Sequence, residues 1–164
     1  MALVLTSNSF KDGEMLAKEH ILSAEYGFGT DGGNKSPHLA WTGAPAGTRS
    51  FAITCFDPDA PTGSGYLHWL VFNIPARVTS LKAGDGNAKS PGGGKAAYND
   101  FSQSTYCGPC PPKGDSEHHY TFTVYALDVE EIPGVDSKTT GATVVFNMRG
   151  HVLAQGSMTV RFGH

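Results

Sequence analysis

Charge is scarce in this 164-residue chain: Asp, Glu, Lys and Arg make up 16% of it, and the formal net charge is −3. No stretch clusters Lys and Arg on one face, which excludes an electrostatic nucleic-acid footprint. No apolar run approaches the roughly 18 residues that begin to suggest a membrane-spanning helix. Cysteine is sparse too. Three in the whole chain is an odd number that argues against a disulfide framework. The opening Ala2-Leu3-Val4-Leu5 is apolar, but it lacks a basic flank and is too short for a secretory signal, so a cytoplasmic, reducing location is expected. What the chain has instead is 21 glycines and 10 prolines. That balance favours many turns between short strands over long helices. At this length a single domain, residues 1–164, with a sizeable core is expected.

Alternation locates the strands. Residues 2–6 and 38–42 read as short ones. In residues 49–57, Phe51, Ile53 and Cys55 alternate with Ala52, Thr54 and Phe56, and both sets are largely apolar, so this strand is covered on both faces. Residues 67–74 repeat that character, with His68, Leu70, Phe72 and Ile74 on one face and Trp69, Val71 and Asn73 on the other. A third strong strand, residues 119–128, sets Tyr120, Phe122, Val124 and Ala126 against Thr121, Thr123, Tyr125 and Leu127. Residues 14–22 are helical by composition but uncapped, and residues 75–100 are loop-rich. The clearest helical spacing lies in 137–155, where Val144, Val145, Met148, Val152 and Leu153 recur, with Asp136 or Ser137 as N-cap and Gly150 as a divider. Residues 159–162 add a last strand. The sum is a mainly β domain, a sandwich with one or two short helices near the C-terminus.

Several motifs fail on their context. Ser90-Pro91-Gly92-Gly93-Gly94-Lys95-Ala96 has Lys89 where a phosphate loop needs glycine, and Ala96 where it needs Ser or Thr. Cys107-Gly108-Pro109-Cys110 carries the thioredoxin spacing, yet Pro111-Pro112 follows in place of the helix that would lower a thiol pKa. A local disulfide is the better reading of that pair. A zinc site from these cysteines with His118 and His119 lacks a second cysteine pair. No serine stands in a nucleophile elbow.

One constellation survives. Asp57-Pro58-Asp59-Ala60-Pro61 ends the first strong strand, and in an extended chain Asp57 and Asp59 share a face. His68 opens the second strong strand, while His118 and Tyr120 share a face at the start of the third. Strand ends feed the loops where sites are built, so Asp57, Asp59, His68 and His118 are expected to converge on one pocket. Carboxylate and imidazole also suit a divalent metal, but that is the lesser reading, and no metal or cofactor is assigned.

Taken in order, Asp57-Pro58-Asp59-Ala60-Pro61, His68-Trp69-Leu70-Val71-Phe72-Asn73-Ile74-Pro75, Gly108-Pro109-Cys110-Pro111-Pro112-Lys113-Gly114 and His118-His119-Tyr120-Thr121-Phe122 resemble the phosphatidylethanolamine-binding protein (PEBP) family, also called the Raf kinase inhibitor protein family, in its short bacterial form. The resemblance implies a PEBP-like two-sheet β sandwich with a small pocket for phosphate-type anions or phosphorylated headgroups. It implies that Asp57, Asp59, His68, His118 and Tyr120 line that pocket, with backbone N–H groups around Gly108 and Cys110. The reading is a non-catalytic binding module. One alternative is a kinase or protease inhibitor that presents the pocket rim. Another is an enzyme, either an acid–base hydrolase using Asp59 and His68 or a thiol oxidoreductase using Cys107 and Cys110. Relatives of this short form suggest a homodimer. Three positions depart from the family pattern: Leu67 for an aromatic residue, Cys107 for glycine and His38 for proline.

Overall fold

The strongest alternating segments assemble into one large sheet, and the weaker ones into a small sheet that covers it. The computed structural model describes residues 2–136 and 138–164. Its strands are β1 (Val4–Thr6), β2 (Leu39–Thr42), β3 (Ser50–Asp57), β4 (Tyr66–Pro75), β5 (Ser80–Leu81), β6 (Lys95–Ala96), β7 (His118–Leu127) and β8 (Val152–Phe162). All strand pairs are antiparallel, in the orders β6-β4-β3-β7-β8 and β1-β2-β5.

The main core lies between the two sheets. Phe51, Ile53 and Cys55 of β3 and Phe122, Val124 and Ala126 of β7 point inward, as their alternation requires, against Leu5, Leu39 and Trp41 of the small sheet. On the other face Ala52, Leu70, Phe72 and Leu127 pack under Val144 and Met148 of the helix α1 (Gly141–Met148). This double cover is why both registers of β3 are apolar. Burying one such Leu, Ile or Phe side chain stabilises by about 1.5–3 kcal/mol. Helix and sheet approach so closely that a Cβ on Gly141 would overlap the Leu67 side chain.

The late helical pattern is half right. The helix stops at Met148, the chain turns through a 3-10 segment at Arg149–His151, and Val152 and Leu153 begin an 11-residue strand. Pairing to β7 (Val152 with Leu127, Ala154 with Ala126) outweighs the weak helical spacing past Gly150. The N-cap is Thr140, whose hydroxyl accepts the Thr143 N–H at 3.4 Å. Asp136 caps only a local turn, accepting the Lys138 N–H at 2.8 Å, and Ser137 lies outside the described residues. Residues 14–22 hold no α-helix, only a 3-10 turn at Lys18–His20.

Strand β4 breaks simple alternation twice, and both breaks matter. Between the pairs Phe51–Ile74 and Ile53–Val71 it carries an extra residue, with Asn73 at φ 56°. This bulge turns Ile74 onto the face of Trp69 and Val71 rather than that of Leu70 and Phe72. Between Cys55–Trp69 and Phe56–Leu67 the extra residue is His68. Leu70 and Phe72 face the helix, whereas the His68 ring packs edge-on against Tyr120, their centroids 5.2 Å apart.

Candidate functional site

Three strand ends and one proline-rich loop close around a cavity of about 140 Å³. Asp57 continues the inward register of β3 beyond Cys55, and Tyr120 and His118 continue that of β7 back from Phe122. Pro58 then ends the strand, because it has no N–H for the ladder. The bulge in β4 aims His68 at the same space. The loop supplies Cys110, Pro111 and Pro112, and Phe28, Pro61 and Tyr66 complete an apolar rim. Phe101 packs behind the wall, its ring 5.2 Å from His68 and 5.0 Å from Tyr66.

The polar groups are tightly bound to one another. His118 Nδ1 donates to Asp57 Oδ2 at 2.8 Å and its Nε2 donates to Asp115 Oδ2 at 3.0 Å. A ring that donates through both nitrogens is an imidazolium. Burial opposes that charge, but the hydrogen bonds and negative charges of Asp57 and Asp115 outweigh it and hold the His118 pKa above its ordinary value. The second Asp57 oxygen accepts the Asp59 N–H at 2.8 Å.

His68 is the opposite case. Its Nδ1 donates to the carbonyls of Cys107 at 2.8 Å and Gly108 at 3.1 Å. Burial pushes its pKa below the usual value despite those carbonyls and the nearby Asp57. The ring is therefore neutral near neutrality, with a lone pair on Nε2. The Tyr120 hydroxyl is buried without a hydrogen-bond partner among the described residues. Burial, with Asp57 adding to it, drives the phenol pKa far up, so it remains a donor.

Of the residues expected at the site, Asp57, His68, Cys110, His118 and Tyr120 line the cavity. Asp59 does not. The turn made by its N–H to Asp57 swings it past the strand end, where its Oδ2 accepts both the His119 N–H and Nδ1–H at 2.7 Å on the outer side. Gly108 lines nothing either, because its N–H donates to Asn34 Oδ1 at 2.8 Å. Glycine is needed there, since a Cβ would overlap the His20 carbonyl oxygen. Cys107 and Cys110 are free thiols, so the local disulfide is not formed. Burial first, then Cys107 and Asp57, pushes the Cys110 pKa up to about 12, the reverse of an activated thiol. Among the described residues no group of His, Cys, Asp and Glu is arranged to hold a metal ion.

Sequence reasoning missed Asp115, Asn34 and Asn99. Asn99 Nδ2 donates to the carbonyls of His68 at 3.0 Å and Thr105 at 2.9 Å, tying the loop to the bulge. Asp115 carried one usable signal, an acid three residues before His118. Asn34 carried none, lying in a glycine-rich loop that folds onto the site from far along the chain. A larger groove of about 780 Å³ at the opposite end of the sheet mixes Arg49, Arg77 and Lys95 with Glu130 and Glu131. Arg49 and Glu130 pair there at 3.2 Å, with side chains 57% and 74% exposed, so it lacks the buried polar groups of the smaller cavity.

A two-sheet β fold with one short late helix and a strand-end pocket of carboxylate, imidazole and phenol defines a narrow class. The chain belongs to the phosphatidylethanolamine-binding protein family, whose model matches residues 6–163. It is 49% identical to the UPF0098 protein YbcL of Escherichia coli (strain K12) over 161 residues, covering 96% of this chain and 86% of that protein. It is also 49% identical to YbhB of the same organism over 160 residues, covering 96% and 98%. The crystal structure of E. coli YbcL, described as a new member of the mammalian PEBP family, superposes with a TM-score of 0.93 at 47% identity, covering 100% of this chain and 99% of that one. No helix among the described residues is long and apolar enough to cross a membrane.

Proposed function

We propose that this chain is a non-catalytic binding module for small phosphate-type anions or phosphorylated headgroups, held in the cavity between β3, β4 and β7. The observation that carries the reading is the buried, unpartnered Tyr120 hydroxyl in the cavity wall. An unsatisfied buried donor costs free energy, and a ligand oxygen removes that cost. The volume supports a small ligand: about 140 Å³ equals roughly four to five waters' share of liquid volume. The rim of Phe28, Pro61, Pro111 and Pro112 suits the alkyl part of a headgroup.

Absence of turnover is supported by the state of the would-be catalysts. The Cys110 thiol is held protonated, and Asp59, paired with His119 on the outer side, does not share the cavity that His68 lines. Amide NMR spectra recorded against phosphorylethanolamine test the reading. Saturable shifts are expected at the amides of Asp57, Asp59, Ala60, Gly108, Cys110, His118, His119 and Tyr120, while the ligand's phosphorus signal stays that of the intact compound. Shifts scattered elsewhere, or a cleaved ligand, would overturn it.

A further inference from the structure

Donors and acceptors around the cavity are unequal, and the inequality bears on which oxyanion fits. Pro61, Pro111 and Pro112 in its wall have no N–H. The N–H groups of Gly108 and Asp59 are held by Asn34 and Asp57. His118 gives both of its protons to Asp57 and Asp115. That leaves as donors the Tyr120 hydroxyl, the Cys110 thiol and the N–H groups of Ala60 and Cys110, none of which makes a hydrogen bond among the described residues. The acceptor is Nε2 of His68, the His68 proton being fixed on Nδ1 by two carbonyls.

A fully ionised oxyanion satisfies Tyr120 but sets its oxygen lone pairs against the lone pair of Nε2. Protonating His68 relieves the clash only by placing a second imidazolium in the buried wall. The titratable groups near that ring are Asp57 from β3, His118 and Tyr120 from β7, Tyr66 on its own strand, Cys107 and Cys110 from the proline-rich loop, and Asp100 from the loop after β6. The two carboxylates among them do not offset the cost of burying the charge. An oxyanion with an O–H of its own meets both groups at once, donating to Nε2 while accepting from Tyr120. The Asp57–His118–Asp115 cluster adds to this preference. Its two carboxylates and one imidazolium sum to one negative charge, which favours the less charged form of the ligand.

Building on the anion-binding reading above, we infer that the pocket selects oxyanions that carry a proton, phosphate and phosphomonoesters, over phosphodiesters and sulfate, with His68 Nε2 accepting the ligand's O–H and Tyr120 donating to its oxygen. A phosphomonoester loses its last proton near pH about 6; a phosphodiester and sulfate have none to give near neutrality. The preferred headgroup is thus one released from its lipid as a monoester, not the diester of an intact phospholipid.

Calorimetry with phosphorylethanolamine, glycerophosphorylethanolamine, inorganic phosphate and sulfate at about pH 6 and about pH 8 separates the cases. The monoester is expected to bind at least about tenfold more tightly than the diester or sulfate at the lower pH. Above its own pKa its affinity falls by about tenfold per pH unit, with one proton taken up per ligand, read from buffers of different ionisation enthalpy. Equal affinities for monoester and diester at both pH values would overturn the selectivity and leave the anion site standing. Binding of none of the four would overturn both. His68→Asn keeps a donor for the Cys107 carbonyl and deletes the acceptor. It is expected to shrink the monoester preference to about twofold or less, and an unchanged preference would remove His68 from this role. The proton count in the unaltered protein decides the matter even if that variant folds poorly.

Discussion

Two aspartate–histidine pairs lie side by side where the end of β3 meets the start of β7, one on the inner and one on the outer side, and they differ in almost everything but chemistry. Asp57 and His118 meet at 2.8 Å with side chains 3% and 5% exposed; Asp59 and His119 meet at 2.7 Å with side chains 41% and 53% exposed. The first pair belongs to a chain of groups that runs from Asp115 through His118 to Asp57 and on to the Asp59 N–H. The second is a surface clasp that holds the turn after β3 against the start of β7. Equal distances therefore do not mean equal energies. Deleting one partner of the buried pair leaves the other's charge uncompensated, whereas the survivor of the exposed pair is rehydrated.

The sharpest way to break this comparison is to delete each acid. Asp57→Ala strands the His118 imidazolium in the wall with one carboxylate in place of two, and breaking a buried pair costs about 3–5 kcal/mol. Asp59→Ala leaves His119 free to hydrate, with a loss below about 1 kcal/mol. Urea unfolding midpoints of the two variants measure the difference. Equal losses would mean that the buried pair is no more than a second surface clasp.

The contrast between these pairs was only partly legible in the sequence. Alternation placed His118 and Tyr120 on one face and His119 on the other, because β7 is regular along its length. The same rule failed for Asp59, since a turn closed by a side-chain hydrogen bond follows no period of two. It failed again for His68 and Ile74, where bulges shift the register. A glycine or proline announces a turn, but nothing about His68 announced a bulge. The late strand β8 was hidden for a related reason. From Gln155 onward its solvent-side residues are small or polar, and its start, with Leu153 exposed, overlaps an apolar helical spacing, so only pairing with β7 settles its state. The cluster of acids and histidines was visible from residue types at strand ends, while Asp115 and Asn34, supplied by loops, had no periodicity to betray them.

The next largest effect concerns the pH dependence of the two buried histidines, which is opposite in sign. The folded-state pKa of His118 lies above its unfolded value. Its contribution to stability is therefore full below the unfolded value of about 6.5 and lost as pH rises through the folded one. The folded-state pKa of His68 lies below its unfolded value. Its contribution is present above about 6.5 and lost as pH falls through the folded value. Imidazole NMR titration should show the two shifts directly, and Asp115→Asn should move His118 down while leaving His68 in place. Unfolding free energies across the same range should rise more steeply with pH once His118 is replaced by Asn. A His118 signal that titrates below the ordinary value in the unaltered protein would contradict the imidazolium bridge.

The smallest effect belongs to the surface clasp. The hydrogen bonds from the His119 side chain and backbone, joined by the charges of His119 and His118, hold the Asp59 pKa below the ordinary carboxyl value. A depressed carboxyl contributes stability above its unfolded pKa of about 3.9 and loses it as pH falls through the folded one. With both side chains open to water that contribution is screened, and Asp59→Asn should cost a few tenths of a kcal/mol to about 1 kcal/mol near neutral pH. Raising the salt to about 1 M, where the screening length falls to about 3 Å, should erase most of the Asp59→Asn deficit but little of the Asp57→Ala deficit. Urea unfolding at low and high salt makes the measurement. If the Asp59 deficit survives salt undiminished, the backbone bond to the His119 N–H, not the ion pair, is what holds the turn.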